Sequence, residues 1–286
     1  MFADACAKAI NYVRPVVESI RTYDGKVSSF VSTFTIINKE GWFITAGHVF
    51  DKFVRYQNDI KKLKEIEELN QKGIQSEQVP SELITNQSFW WGWDGVMVTD
   101  AFIHRQLDLC VGRLVNFNPS WVSEYPVLGD PDKTRRGMSL CRLGFPLLHF
   151  DTGFDAEKKA FRIPKVSVED CIFPNECICT RFINKGRSHD NMLDLKYIET
   201  STPGLRGQSG GPILDRNGII RAMQVETNCI SLDFHPSIEY NGKSVVESQF
   251  MNVGIGVDIR VIRALLDSKN VHYCAEGDES GYHIVD

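Results

Sequence analysis

The stretch Gly204-Leu205-Arg206-Gly207-Gln208-Ser209-Gly210-Gly211-Pro212-Ile213 decides how this 286-residue chain is read. Glycine fills positions 207, 210 and 211. Such a segment gives up side-chain packing and loses extra entropy when its backbone is ordered. That arrangement suits a backbone whose amides must come close to another group. Ser209 is therefore a candidate nucleophile, and the amides of Gly207 and Ser209 are a candidate oxyanion hole. A glycine-rich hairpin carrying an incidental serine is the structural alternative.

Two upstream residues complement the serine. The segment Trp42-Phe43-Ile44-Thr45-Ala46-Gly47-His48 reads as a returning strand that stops abruptly with an imidazole at its tip. Leu107 to Leu114 reads as a buried strand interrupted by one acid, Asp108. An acid there must be paired or hydrogen-bonded, because burying it alone costs several kcal/mol. Taken singly, His48 could be a satisfied core histidine and Asp108 half of a buried ion pair. The pair lies in the first half of the chain and the serine in the second, so the site is expected in a cleft between two lobes.

The surrounding pattern is all-β. Short runs of β-branched and aromatic residues alternate with turns. Examples are Phe30–Ile37 with the Asn38–Gly41 hairpin turn, and Ile219–Val225 after the turn at Asp215–Gly218. Further short strands are expected around 163–169, 178–184 and 193–199, with a polar loop over 233–249. Residues 4–13 have helical spacing with Asp4 as N-cap, and a strand follows from Val16. Ile60, Leu63, Ile66 and Leu69 form one stripe of a charged helix, an insertion over about 51–72. Asp258 caps a final helix through Ile262 and Leu266.

Thr45-Ala46-Gly47-His48, Asp108-Leu109 followed by Val111, and Gly207-Gln208-Ser209-Gly210-Gly211-Pro212 together resemble the three signatures of chymotrypsin/trypsin-like serine peptidases, in that family's order. Gly144-Phe145-Pro146 and Val253–Val257 followed by a helix are more similar to the bacterial HtrA-type branch. The resemblance implies two six-stranded-type β-barrels, residues 1–128 and 129–286, forming one peptidase unit. It implies an endopeptidase working through an acyl-enzyme, with Ser209 as nucleophile, His48 as base and Asp108 orienting the imidazole. Protein or peptide is then the substrate, and no cofactor is expected. Gln208 stands where cleavage-activated members carry an aspartate, and Pro203 where trypsins carry their specificity aspartate. The pocket is expected to be floored by Thr202, Pro203 and Gly204 and walled by Val225, Glu226 and Thr227. A small or apolar P1 side chain follows, with Glu226 the feature that could reverse it. No segment resembling the PDZ module of HtrA-type enzymes is seen.

Two alternatives stand beside the peptidase reading. One is a latent, protease-like module gated by a protein partner on the helix at 51–70. The other is an esterase using the same three groups.

Composition narrows the classes. A hydrophobic fraction of 42%, a charged fraction of 24% and a net charge of −5 describe a soluble globular chain without a broad nucleic-acid-binding face. No apolar window is long enough to span a membrane, and the acid at position 4 breaks any apolar leader, so a cytoplasmic location is expected. The eight cysteines read as free thiols. Cys171, Cys177 and Cys179 lack the spacing of a zinc knuckle, so no metal is expected. The other histidines, at 104, 149, 189, 235, 272 and 283, are assigned to surface or satisfied-core roles.

Overall fold

The computed structural model describes residues 1–72, 78–146, 148, 150–164 and 168–278. Helix α1 (Ala3–Ala9) leads into β1 (Val13–Thr22), β2 (Val27–Ile36) and β3 (Trp42–Ala46). Helix α2 (Asp51–Gln71) is followed by β4 (Ile84–Trp90), β5 (Met97–His104) and β6 (Leu109–Val115). These six strands form one antiparallel sheet in the order β4-β1-β2-β3-β6-β5. Its buried face holds Phe34, Phe43 and Trp91, whose ring centroids lie 4.9 to 5.5 Å apart. Edge-to-face aromatic packing of this kind adds to the stabilisation from burial alone.

The second half contributes β7 (Val127–Leu128), β8 (Ser139–Arg142), the hairpin β9 (Gly153–Asp155) and β10 (Ala160–Arg162), and α3 (Val168–Cys171). Then come β11 (Asn175–Arg187), β12 (Asp194–Thr200), β13 (Pro212–Leu214), β14 (Ile220–Ser231), β15 (Ser237–Tyr240), β16 (Lys243–Val246) and β17 (Phe250–Asp258). Helix α4 (Ile259–Ser268) and β18 (Cys274–Ala275) complete the described chain. Six of these strands close on themselves in the order β8-β11-β12-β17-β14-β13, because β13 pairs with both β14 and β8. Fourth, first, second, third, sixth and fifth strands follow one another in both sheets, so the two share a strand order that the sequence does not show as a repeat.

Several local expectations are corrected. Strand β1 begins at Val13 and includes Pro15, which pairs with Thr33. Proline is tolerated there because β4 joins β1 only from Val17, leaving the Pro15 nitrogen without a ladder to serve. Asp4 is not the N-cap of α1; it lies in the first turn, where a carboxylate favours the helix dipole. Residues 168–171 are helical rather than extended, and 165–167 lie outside the described residues. The polar loop over 233–249 contains the exposed hairpin of β15 and β16. The insertion helix turns Leu63 and Ile66 into its own lobe, as its apolar stripe requires. Asp258 caps α4 by accepting from the Arg260 amide at 2.8 Å.

The end of the second lobe is fastened by charge. Buried Arg221 reaches Asp215 at 2.6 Å and Glu276 at 2.6 Å, and Glu276 also accepts from the Asp130 amide and from Lys133. Burial alone would raise the Glu276 pKa, but these donors outweigh it and hold the carboxyl at about 2 against an ordinary 4.5. A depressed carboxylate stabilises the fold above its unfolded pKa and loses that contribution as pH falls through the folded value. Glu276→Gln should therefore lower Tm at neutral pH, and the gap to wild type should close between pH 4.5 and 2. Thermal unfolding across that range checks this; a gap independent of pH contradicts it.

Candidate active site

Strand β3 ends at Ala46, and the tight turn Gly47–Phe50 swings His48 out of the sheet before α2 begins. Asp108 stands at the mouth of β6, not inside it, in a left-handed conformation with φ 52°. Aspartate tolerates that region better than most residues. The turn it closes also explains how an acid follows Leu107 without being fully buried. Its carboxylate grips His48 twice: Oδ1 accepts the His48 backbone N–H at 2.7 Å, and Oδ2 lies 2.6 Å from Nδ1. The Asp108 carbonyl accepts the Gly47 amide at 2.9 Å. Backbone and side chain thus fix the ring together. The second lobe braces the same turn, since the Tyr197 hydroxyl donates to the Gln106 carbonyl at 2.9 Å and the His189 amide donates to Gln106 Oε1 at 2.8 Å.

The hydrogen bond to Asp108 raises the His48 pKa above its ordinary 6.5. Partial burial opposes the shift, and the charges of Asp108 and Asp51 add to it.

The glycine-rich loop comes from the second lobe and docks on the first. Thr33, on β2, donates its amide to the Ser209 carbonyl at 2.9 Å and its hydroxyl to the Gly207 carbonyl at 2.6 Å. A Cβ on Gly210 would lie 2.1 Å from the Thr33 carbonyl oxygen and 2.9 Å from the Ala46 nitrogen. Gly210 also has φ 85°, so both space and backbone conformation require glycine. Ser209 is thereby brought beside the chain segment that carries His48. The Gln208 carbonyl accepts the Gly211 amide at 2.9 Å. Because the peptide is planar and trans, the Ser209 N–H points the opposite way. Neither the Gly207 nor the Ser209 amide donates to an acceptor among the described residues.

Gln208 itself is buried and satisfied from within: Oε1 accepts the Leu205 amide at 2.9 Å, and Nε2 donates to the Phe173 carbonyl at 3.4 Å. A neutral side chain held this way needs no ammonium partner to order the loop.

The residues expected to form the pocket lie on two facing segments. Thr227 Oγ1 donates to the Gly204 carbonyl at 2.8 Å, joining them at the exposed rim with Glu226. Beneath, Val225 is buried, while Thr202, Pro203 and Gly204 are partly buried. The residue that sequence reasoning missed is Arg142, on β8. It is completely buried and bonds both segments: Nε to Gln224 Oε1 at 2.6 Å, and the two terminal nitrogens to the Pro203 carbonyl, the Thr202 carbonyl and Thr200 Oγ1. An arginine inside the apolar run Leu140-Cys141-Arg142-Leu143 was the available signal.

The chain matches the model of the trypsin-like peptidase domain over residues 30–223. It belongs to that family. Among solved structures it is similar to the active form of the Rv3671c protease from M. tuberculosis, at 13% identity and a TM-score of 0.50, covering 92% of this chain and 82% of that one. It is also similar to the HtrA-type protease AlgW with a bound tripeptide, at 13% identity and a TM-score of 0.48, covering 94% of this chain. The chain spans 63% of the length of AlgW. No curated protein matches the chain.

The remaining candidates stay outside the site. His104 accepts the Leu107 amide at 3.3 Å and His272 faces Glu40 at 3.7 Å. His235 is exposed, and His149 and His283 lie outside the described residues. None of the eight cysteines is in a disulfide, Cys177 and Cys179 are buried, and no group of three or more His, Cys, Asp or Glu side chains is placed to hold a metal among the described residues. No described helix is long and apolar enough to cross a membrane.

The Asp108 contact makes a direct prediction. In an NMR titration the His48 ring should have a midpoint above 6.5, and Asp108→Asn should lower it. The ion pair then stabilises the fold below pH 6.5 and ceases to do so as pH rises through the raised value. An unchanged midpoint in the variant would show that the carboxylate does not set the ring's proton affinity.

Proposed function

We propose that this chain is a serine endopeptidase in which Ser209, His48 and Asp108 act as a triad. The observation that carries this reading is the double grip of Asp108 on His48, next to a serine loop whose amides at 207 and 209 are left unused. Asp108 occupies Nδ1, so Nε2 is the nitrogen left to accept a proton. Ser209 Oγ attacks the peptide carbonyl carbon while its proton passes to Nε2. The carbonyl oxygen becomes an oxyanion stabilised by the two amides, each worth roughly 3–4 kcal/mol at the transition state. Collapse breaks the C–N bond, and the imidazolium returns the proton to the leaving amine. Water, deprotonated by the same nitrogen, then cleaves the acyl-enzyme and restores Ser209.

Protein or peptide is the substrate class this arrangement fits, and nothing in the chemistry calls for a cofactor. Support for a partner-gated module is weaker, because α2 buries Leu63 and Ile66 against its own lobe and Gln208 orders the nucleophile loop without an activating group.

Incubation with a fluorophosphonate, followed by intact-mass measurement, tests the nucleophile. The wild type should gain one adduct and Ser209→Ala none. Equal labelling of both, or labelling of neither, contradicts the proposal.

A further inference from the structure

Among the described residues, Arg142 is the one completely buried cation whose hydrogen-bond partners are all neutral. Its bonds run to a glutamine, a threonine hydroxyl and two backbone carbonyls, and no carboxylate lies within ion-pair distance among the described residues. The contrast with Arg221 is direct, since that buried guanidinium faces Asp215 and Glu276. Burial without a counter-charge pulls the Arg142 pKa downward. Removing a charge from water is costly unless it is paired, so a solitary buried cation calls for an explanation.

Its location supplies one. Arg142 spans the two segments that bound the substrate pocket, binding Thr202 and Pro203 on one side and Gln224 on the other. Gln224 in turn accepts the Gly210 amide on its carbonyl at 2.8 Å, so the same residue touches both the guanidinium and the nucleophile loop. Arg142 and Gln224 pack so closely on these segments that both neighbouring positions require glycine: a Cβ on Gly254 would lie 2.2 Å from the guanidinium, and one on Gly204 would lie 2.3 Å from the Gln224 amide nitrogen. Four hydrogen bonds leave one of the five guanidinium hydrogens without a described acceptor.

Building on the peptidase reading above, we infer that Arg142 sets specificity, and that the pocket takes an acidic P1 side chain, aspartate or glutamate, whose carboxylate supplies the missing counter-charge. This replaces the small or apolar P1 side chain expected from Pro203 and its neighbours. Glu226 does not reverse it. That carboxylate is exposed at the rim, where water and salt screen it, whereas the guanidinium acts in a dry interior. Specificity of this kind is a difference between partners: a basic P1 side chain would bring a second cation against Arg142, and an amide would leave the charge unpaired.

The test uses otherwise identical fluorogenic peptides with Glu, Asp, Gln, Ala, Leu or Lys at P1, cleaved by wild type, Arg142→Gln and Arg142→Lys, each also labelled with fluorophosphonate. Wild type should cleave the Glu or Asp peptide with kcat/KM at least about tenfold above Gln, the scale of one charge-assisted hydrogen bond. Arg142→Gln should lose that preference while Ser209 still labels, and Arg142→Lys should keep part of it. Turnover of Gln, Ala or Lys peptides equal to or above that of the acidic ones overturns the inference, as does labelling of Ser209 with no preferential cleavage of acidic peptides. In both cases the nucleophile assignment survives. Absence of labelling in the wild type overturns the peptidase reading and this inference with it.

Discussion

The site depends on Thr33. One residue of the first sheet donates twice across the interface, through its amide to the Ser209 carbonyl and through its hydroxyl to the Gly207 carbonyl. Its own carbonyl accepts Thr45 Oγ1 at 2.7 Å, which ties β2 to the strand leading to His48. The Ser209 loop and the strand leading to His48 therefore share one support, although they belong to different sheets. Gly210 completes the clasp by allowing that loop to approach closer than any side chain would permit. Separating the lobes would break the candidate triad together with the hydrophobic cluster that runs from one sheet into the other.

Around that clasp, polar groups are placed by neutral hydrogen bonds where rigidity is wanted and by charge where reactivity is wanted. Gln208 orders the serine loop with amide contacts alone. Asp108 holds His48 through a charged contact, which shifts the proton affinity of the ring as well as its orientation. Arg142 departs from both patterns, as a charge with only neutral neighbours. A buried charge of that sort is stable only within a dense set of acceptors, and here those acceptors lie on the segments at 200–203 and at Gln224.

The candidate catalytic residues were legible in the sequence because the proposed chemistry dictates their identities: a serine among glycines, an imidazole at a strand end, an acid beside apolar residues. The strand pattern was legible where the strand is buried and strongly apolar, as in β3 and the first half of β6. It failed where both faces meet solvent. The hairpin at 237–246 exposes every residue, so no alternation marks it. The backbone setting of Asp108 was hidden as well, since a single left-handed residue changes no periodicity. Arg142 was hidden for a different reason. Its partners are carbonyls and neutral side chains at positions 200 to 224, and spacing along the chain does not reveal which of them converge.

The central claim is geometric: a serine from one lobe, an imidazole from the other, and two unused amides converge on a single carbon. A crystal structure of the protein with a peptide boronate shows this directly, because the boron takes the place of the tetrahedral carbon. The account predicts a bond from Ser209 Oγ to boron, one boronate oxygen within hydrogen-bond distance of both the Gly207 and Ser209 amides, and His48 Nε2 directed at the adduct with Nδ1 still on Asp108. A boronate bound elsewhere, or bound to Ser209 with its oxygen away from both amides, would contradict it.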